Sequence, residues 1–322
     1  MRKQAAVVTC IAALAASGTA LAQTYPAKPI RIVVAQAPGA QSEIFARMLG
    51  QEMSKTLGQP VVNDPRPGAG GALGAEIGAK APPDGYTLLM GTNSTHGSNP
   101  AIYSKLPYDP VKDFAPIVLT VGQPYVLAVH PSLPVSNLKQ LIALAKSKPG
   151  QLNYGSPGNG STHQMCAELL KTTAKINLVH VPYKGSPPAT AATMSGEVSM
   201  MFNAVGSVSH FVKDGKLKAL AVTTAKRSTR LPNVPTMTEG GVPGFDIMSW
   251  YGLLAPAGTP RPIIDRLNAE ANKAMNVQEI RSYVANNGLE IIGGSPEQFG
   301  AHIKAEIARF SAIAKAANIR LD

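Results

Sequence analysis

The stretch Leu152-Asn153-Tyr154-Gly155-Ser156-Pro157-Gly158-Asn159-Gly160-Ser161-Thr162-His163-Gln164-Met165-Cys166-Ala167-Glu168-Leu169-Leu170 sets the plan of this chain. Residues 152–155 read as a short strand. Residues 162–173 read as a helix, because Met165, Cys166, Leu169 and Leu170 recur at helical spacing. Small residues and two hydroxyls, Ser156 and Ser161, occupy the handover. A loop without a Cβ at Gly158 and Gly160 lets backbone N–H groups approach a bound group. The helix start behind it leaves unpaired donors and a partial positive charge, which suit an anion. Taken alone, the same loop also serves as an ordinary strand-to-helix turn.

The unit recurs. Residues 30–35 (Ile-Arg-Ile-Val-Val-Ala) are β-branched and apolar, a buried strand. The loop 36–42 follows, then a predicted helix over 43–57 with Phe45, Met48, Leu49, Met53 and Leu57 on one side. Ser42 is its expected N-cap and Gly58 its stop. A strand over 60–63 leads through Arg66-Pro67-Gly68-Ala69-Gly70-Gly71 into a small-residue helix ending near Lys80. Gly68, Gly70 and Gly74 lack the spacing of a dinucleotide fingerprint, so a tight turn and close helix packing are expected instead. A third strand, 86–90, opens into the polar loop Gly91-Thr92-Asn93-Ser94-Thr95-His96. Residues 115–121 and 125–130 are two further strands.

From Ser136, the expected cap of the next helix, the pattern renews itself. Strands over 152–155, 177–181, 198–202 and 217–222 alternate with helices, including a short one over 208–213, as in an α/β domain with a mostly parallel sheet. A strand-like run at 246–254 holds the single Trp. The tail is helical over 262–275, 278–286 and 296–317, with Pro262 and Pro296 at helix starts. A helical tail without its own sheet must pack elsewhere. The first domain is the expected site, which makes the domains discontinuous: 23–123 plus 245–322, and 124–244. Two crossing strands, near 121–126 and 245–252, form a hinge candidate.

Residues 1–22 read as an export signal: Arg2 and Lys3, an apolar run over 5–16, and the small-x-small site Ala20-Leu21-Ala22, with Gln23 as the expected mature start. Cys10 lies inside the apolar run, so a lipid-modified cysteine is not expected. No later segment is long and apolar enough to cross a bilayer, and an exported, periplasmic, soluble product is expected. Of the two cysteines only Cys166 would remain, so packing rather than an internal disulfide must hold the fold. The formal net charge is +11, to which Arg2 and Lys3 contribute two. The basic residues are scattered and aromatics are few, which argues against nucleic acid and leaves solubility and attraction of small anions.

Enzyme signatures are missing. The chain has no Gly-x-Ser-x-Gly, phosphate-loop or His-Glu-x-x-His motif, and its 6 histidines show no metal-ligand spacing. Ser156, Ser161 and His163 lack an orienting acid. No catalytic residue, metal or cofactor is expected. An exported serine hydrolase using Ser156 or Ser161 is the alternative of a different class.

Many ordered motifs carry a family likeness. They include Pro29-Ile30-Arg31-Ile32-Val33-Val34 with Ala37-Pro38-Gly39, Arg66-Pro67-Gly68-Ala69-Gly70-Gly71, Pro83-Asp84-Gly85-Tyr86-Thr87-Leu88 and Leu106-Pro107-Tyr108-Asp109-Pro110. His130-Pro131-Ser132-Leu133-Pro134, His180-Val181-Pro182-Tyr183-Lys184-Gly185, Pro232-Asn233-Val234-Pro235-Thr236 and Trp250-Tyr251-Gly252-Leu253-Leu254-Ala255-Pro256 continue the series. Over nearly all of its length after residue 22, the chain resembles the extracytoplasmic receptors of tripartite tricarboxylate transporters, the Bug proteins. The resemblance implies an α/β, two-domain periplasmic binding protein of the type II, Venus-flytrap kind. Each domain would be a mostly parallel sheet flanked by helices, joined by two crossover strands. It further implies a monomer that closes on a small organic carboxylate and hands it to a permease with one large and one small membrane subunit. A sensor that presents the same ligand to a signalling partner would close identically.

In such receptors the carboxylate is held largely by backbone N–H groups, hydroxyls and water. On that basis the expected ligand-binding residues are Pro38, Gly39, Ala40, Gln41, Ser42, Thr92 and Asn93 from one side. From the other side they are Ser156, Gly160, Ser161, Thr162, Tyr183 and Asn203. Ser156, Ser161 and Thr162 are the expected side-chain donors, and Gly39, Ala40 and Gly160 the expected backbone donors. Where the family has Pro-Gly-Gly and a following Asp, this chain has Gly39-Ala40 and Glu43. It has Ser156-Pro157-Gly158 for Ser-Ser-Gly, and Asn203 for a common acid. Without an acid at 203, an ammonium on the ligand would lack its partner, which argues against an amino-acid ligand. Two anion sites, one per domain, would favour a dicarboxylate, aliphatic or aromatic.

Overall fold

A computed structural model describes residues 25–321; the expected export signal and its cleavage site lie outside them. The strands are β1 (Ile30–Val34), β2 (Val61–Pro65), β3 (Thr87–Thr92), β4 (Phe114–Val129), β5 (Asn153–Ser156), β6 (Val179–Pro182), β7 (Met200–Ala204), β8 (Lys218–Val222), β9 (Met248–Pro256) and β10 (Glu290–Ile291). The helices are α1 (Gln41–Leu57), α2 (Ala72–Ala79), α3 (Asn99–Ile102), α4 (Leu138–Ser147), α5 (Thr162–Ala174), α6 (Ser186–Ser195), α7 (Val205–Lys213), α8 (Arg261–Met275), α9 (Gln278–Asn286) and α10 (Pro296–Ala317).

The strands run in the order β2-β1-β3-β9-β4-β7-β5-β6, with β8 and β10 also pairing with β4. The outer strands pair in parallel, β1 with β2 and β3, and β5 with β6 and β7. The crossing strands pair antiparallel. This is the mixed α/β architecture anticipated, with two lobes sharing one strand. The two strands expected at 115–121 and 125–130 are in fact that single strand, β4. It pairs with β9 from Phe114 to Pro124, then with β7 from Tyr125 to Val129. Pro124 has no N–H to give, and it stands where β4 changes partner.

Each lobe has its own apolar core. Ile30, Ile32, Phe45, Leu49, Leu88 and Leu267 are buried in the first. Leu127, Leu141, Tyr154, Met165, Cys166 and Phe202 are buried in the second. Cys166 is free and buried. Burying a side chain of Leu or Phe size contributes roughly 1.5–3 kcal/mol, so such cores hold the lobes without a disulfide. Gly68 and Gly70 adopt positive φ in the turn before α2, and a Cβ on Gly74 would come within 2.7 Å of Ala35 Cα. These glycines do serve a tight turn and close packing.

Three local expectations need correction. Ser42 is not the cap of α1; the N-cap is Ala40, without a side-chain bond, and Ser42 is buried one residue inside the helix. Asn137, not Ser136, caps α4 by accepting the N–H of Gln140. The helical tail does not pack on the first lobe alone. Helix α8 lies on β4 and α1, but α10 reaches α5, and Phe310, Ile313 and Ala314 share the core of Tyr154 and Met165. Apolar positions recur along all 22 residues of α10, so the helix is long enough to serve both lobes.

Candidate functional site: a neutral cleft between the lobes

A cleft of about 360 Å³ opens where β3, β4, β7 and β9 bring the lobes together. The first lobe contributes Gln36, Gln41, Thr92, Asn93, Ser94, Ser249 and Tyr251. The second contributes Pro157, Ser161, Thr162, His163, Gly185, Ser186, Asn203, Ala204 and Ser207. Gln123 and Tyr125 lie at its base on β4. A larger hollow of about 590 Å³, with Phe114, Ile264 and Ile303 among its walls, sits elsewhere on the first lobe, away from these strand ends.

Among the described residues, no Asp, Glu, Lys or Arg lines the cleft. Its charge comes from the backbone. Helices α1, α5, α6 and α7 all begin at it, with Gln41, Ser161 with Thr162, Gly185 with Ser186, and Ala204 in the walls. At α5 the Ser161 hydroxyl accepts the N–H of Gln164, which leaves the N–H groups of Thr162 and His163 to face outward. At α7 the N–H of Gly206 donates to Gln123 Oε1 at 2.9 Å. Four helix starts face one neutral space, that of α1 being offset by Glu43 in its first turn, and helix N-termini of this kind suit an anion.

Side chains at the base are committed to one another. Asn93 Nδ2 donates to Thr162 Oγ1 at 2.7 Å and to the Tyr125 hydroxyl at 3.3 Å. Gln41 Oε1 accepts from Gln123 Nε2 at 2.7 Å and from the Tyr251 hydroxyl at 3.0 Å. Burial pushes the Tyr125 phenol up to about 12 and raises that of Tyr251 further, so both remain neutral donors. Asn203 donates from Nδ2 to Thr190 Oγ1 at 3.0 Å and accepts the N–H of Ala204 at 2.8 Å.

Of the residues expected to bind ligand, the structure gathers Gln41, Thr92, Asn93, Ser161, Thr162 and Asn203 around the cleft. It places the others outside that lining. Ser156 is fully buried, with its hydroxyl 2.6 Å from His180 Nε2 and accepting the N–H of Gly158. The three backbone donors are already occupied. The N–H of Gly39 goes to Glu43 Oε2, that of Ala40 to the Ala37 carbonyl, and that of Gly160 to Gln164 Oε1. Tyr183 bonds Glu197 Oε1 through its hydroxyl and stands outside the lining. Ser42 is buried in α1, and Pro38 is exposed beyond the rim. Small-residue loops mark where the chain turns, but sequence does not show which of their amides the loop consumes. Gln123, Tyr125, His163, Ser186, Ser249 and Tyr251 also line the cleft, although they are not among the expected residues. Only a strand-to-helix junction at 204–207 and a polar residue beside each crossover could have signalled them.

A model described as the tripartite tricarboxylate transporter family receptor matches residues 45–319. The chain belongs to that family. BugT of Bordetella pertussis is 35% identical over 303 residues, which cover 93% of this chain and 92% of that one. A Pseudomonas sp. (strain P51) protein from the tcbD-tcbE intergenic region is 37% identical over 287 residues, covering 89% and 85%. Among solved structures, R. palustris Rpa4515 with adipate has a TM-score of 0.81 at 36% identity, covering 92% of this chain and 99% of that one. MatC from Rhodopseudomonas palustris with bound malate has a TM-score of 0.78 at 34% identity, covering 90% and 99%. The family is one of substrate-binding receptors rather than enzymes, which disposes of the hydrolase alternative. No helix among the described residues is long and apolar enough to cross a membrane.

Proposed function

We propose that this receptor captures a small dicarboxylate in the cleft and delivers it to a tripartite tricarboxylate transporter permease. The carrying observation is the cleft itself: neutral side chains, hydroxyls and amides arranged around four helix starts. A carboxylate leaving water needs donors that replace its hydration, and each charge-assisted bond contributes roughly 1.5–3 kcal/mol. Donors occur on both walls, so an acid with a carboxylate at each end bridges the lobes and favours the closed form. The adipate and malate held by the two similar structures support an aliphatic diacid. The moving bodies in this reading are 23–123 with 245–322, and 124–244, except that the end of α10, with Phe310, Ile313 and Ala314 in the second lobe's core, travels with the second. The receptor acts as a periplasmic monomer after cleavage behind Ala22.

A thermal-shift screen of the chain from Gln23 against succinate, malate, adipate, citrate, phthalate and the monoacids butyrate and benzoate tests the reading, because a ligand that binds only the folded form raises the melting temperature. The diacids are expected to stabilise most. A panel in which no diacid shifts the transition more than the monoacids do would refute it.

A further inference from the structure

His163 is the one imidazole among the described residues that line the cleft. It is the second residue of α5, and its ring meets that of Tyr125 edge-on with centroids 5.0 Å apart. Its Nε2 lies 3.3 Å from Asn203 Oδ1 and 3.4 Å from Ser186 Oγ. The Asn203 amide is oriented by other partners. Thr190 Oγ1 donates to the Ser186 carbonyl and so accepts from Asn203 Nδ2, while Asn203 Oδ1 accepts the N–H of Ala204. Oδ1 is therefore the acceptor, and assigning the network this way puts the imidazole proton on Nε2. Nδ1 is buried and has no partner among the described residues.

The groups facing the ring are Tyr125 from β4, Asn203 from β7, Ser186 from α6 and its own neighbour Thr162; none is charged. Lys184, the cation nearest in sequence on the facing loop, is exposed, and Glu168 further along α5 is engaged by Tyr154 and Lys171. With no carboxylate beside it, burial pushes the imidazole down to about 4, so it is neutral while no anion is present.

We propose that His163 takes up a proton as a carboxylate enters the cleft and becomes the counter-charge that the lining otherwise lacks. This rests on the carboxylate reading above. An anion within about 4–6 Å favours the imidazolium and raises its pKa. The proton is drawn from solvent and forms an N–H bond at Nδ1, and no other bond changes. Binding and protonation are then linked, and affinity rises as pH falls between the bound and free values, by up to about tenfold per pH unit. The same linkage selects anions over uncharged analogues of equal shape.

The test is calorimetry with succinate, malate and adipate at pH 6.0 and 7.5, each in two buffers of different ionisation enthalpy, on the wild type and on His163→Gln. The wild type is expected to take up a fraction of a proton approaching one per ligand and to bind up to about tenfold tighter at pH 6.0. His163→Gln is expected to bind more weakly, with neither uptake nor pH dependence. Wild-type binding without linked uptake overturns the inference and leaves the receptor reading standing. So does uptake that persists in His163→Gln, which places the proton on the ligand. If none of the three acids binds at either pH, the receptor reading fails and this inference fails with it.

Discussion

Asn93 Nδ2 stands 2.7 Å from Thr162 Oγ1, and this one bond ties the loop after β3 in the first lobe to the start of α5 in the second. Both residues are buried, and both line the cleft. The bond exists only when the lobes are together, so its free energy belongs to closure rather than to folding of either lobe. A buried neutral hydrogen bond contributes about 1 kcal/mol net. Asn93→Ala should therefore weaken diacid affinity about fivefold and leave each lobe folded. Calorimetry together with the radius of gyration from solution scattering checks this; the unliganded variant should be the more open.

A second contact at the cleft's far end gives a sharper test. A Cβ on Gly206, at the start of α7, would overlap the carbonyl oxygen of Asn287, which follows α9 in the other lobe. The φ of Gly206 is one that any residue adopts, so alanine there is strained by its neighbours alone, the Asn287 carbonyl and, at 2.7 Å, the movable Gln123 side-chain Oε1. Gly206→Ala should fold normally, close incompletely, and bind at least about tenfold more weakly, since closure must then displace packed backbone. Nearby, Arg230 Nη1 donates to the carbonyls of Ala285 and Asn286 at the end of α9, where a cation is favoured. A melting temperature within a few degrees of wild type, measured beside the affinity, separates a closure effect from a folding effect.

Two serines of the same loop should behave oppositely. The Ser156 hydroxyl is spent on Gly158 and His180, whereas Ser161 caps α5 in the cleft wall. Ser156→Ala is expected to cost about 1–2 kcal/mol of stability and to change affinity little. Ser161→Ala removes an N-cap worth about 1 kcal/mol and also frees the Gln164 N–H beside the ligand, so affinity should change more. Urea unfolding and calorimetry on the two variants would show whether the losses divide this way.

Acid should destabilise the fold before its carboxylates titrate. Burial pushes His163 and His302 down to about 4 and His96 down to about 3. The unfolded chain binds protons at these positions near pH 6.5 and the folded chain does not. Their stabilising contribution is complete above 6.5 and is lost as pH falls toward 4, at up to about 1.4 kcal/mol per pH unit for each. Glu306, raised by burial beside Trp250, works in the opposite sense. Urea midpoints at pH 7.5, 6.0 and 5.0 should fall steadily. His302→Phe, which replaces a ring packed edge-on against Trp250 whose Nε2 has no partner among the described residues, should flatten the slope by one histidine's share.

The alternation of apolar strands, small-residue loops and capped helices was legible before any coordinates. Strands such as Ile30–Val34 and helices such as Gln278–Asn286 stand where periodicity puts them, and the ordered motifs name the family. Local sequence determines these features because backbone periodicity and turn chemistry act within a few residues. Which donors remain free is a different matter. Gly39, Ala40 and Gly160 have the right loops, but their N–H groups are taken by Glu43, Ala37 and Gln164. His163 reads as an ordinary residue of a helix start until β4, β7 and α6 close around it. Hydrogen-bond satisfaction and desolvation depend on groups as far as 210 residues apart, as in the bond from Tyr251 to Gln41, so only the folded chain decides which groups an anion can use.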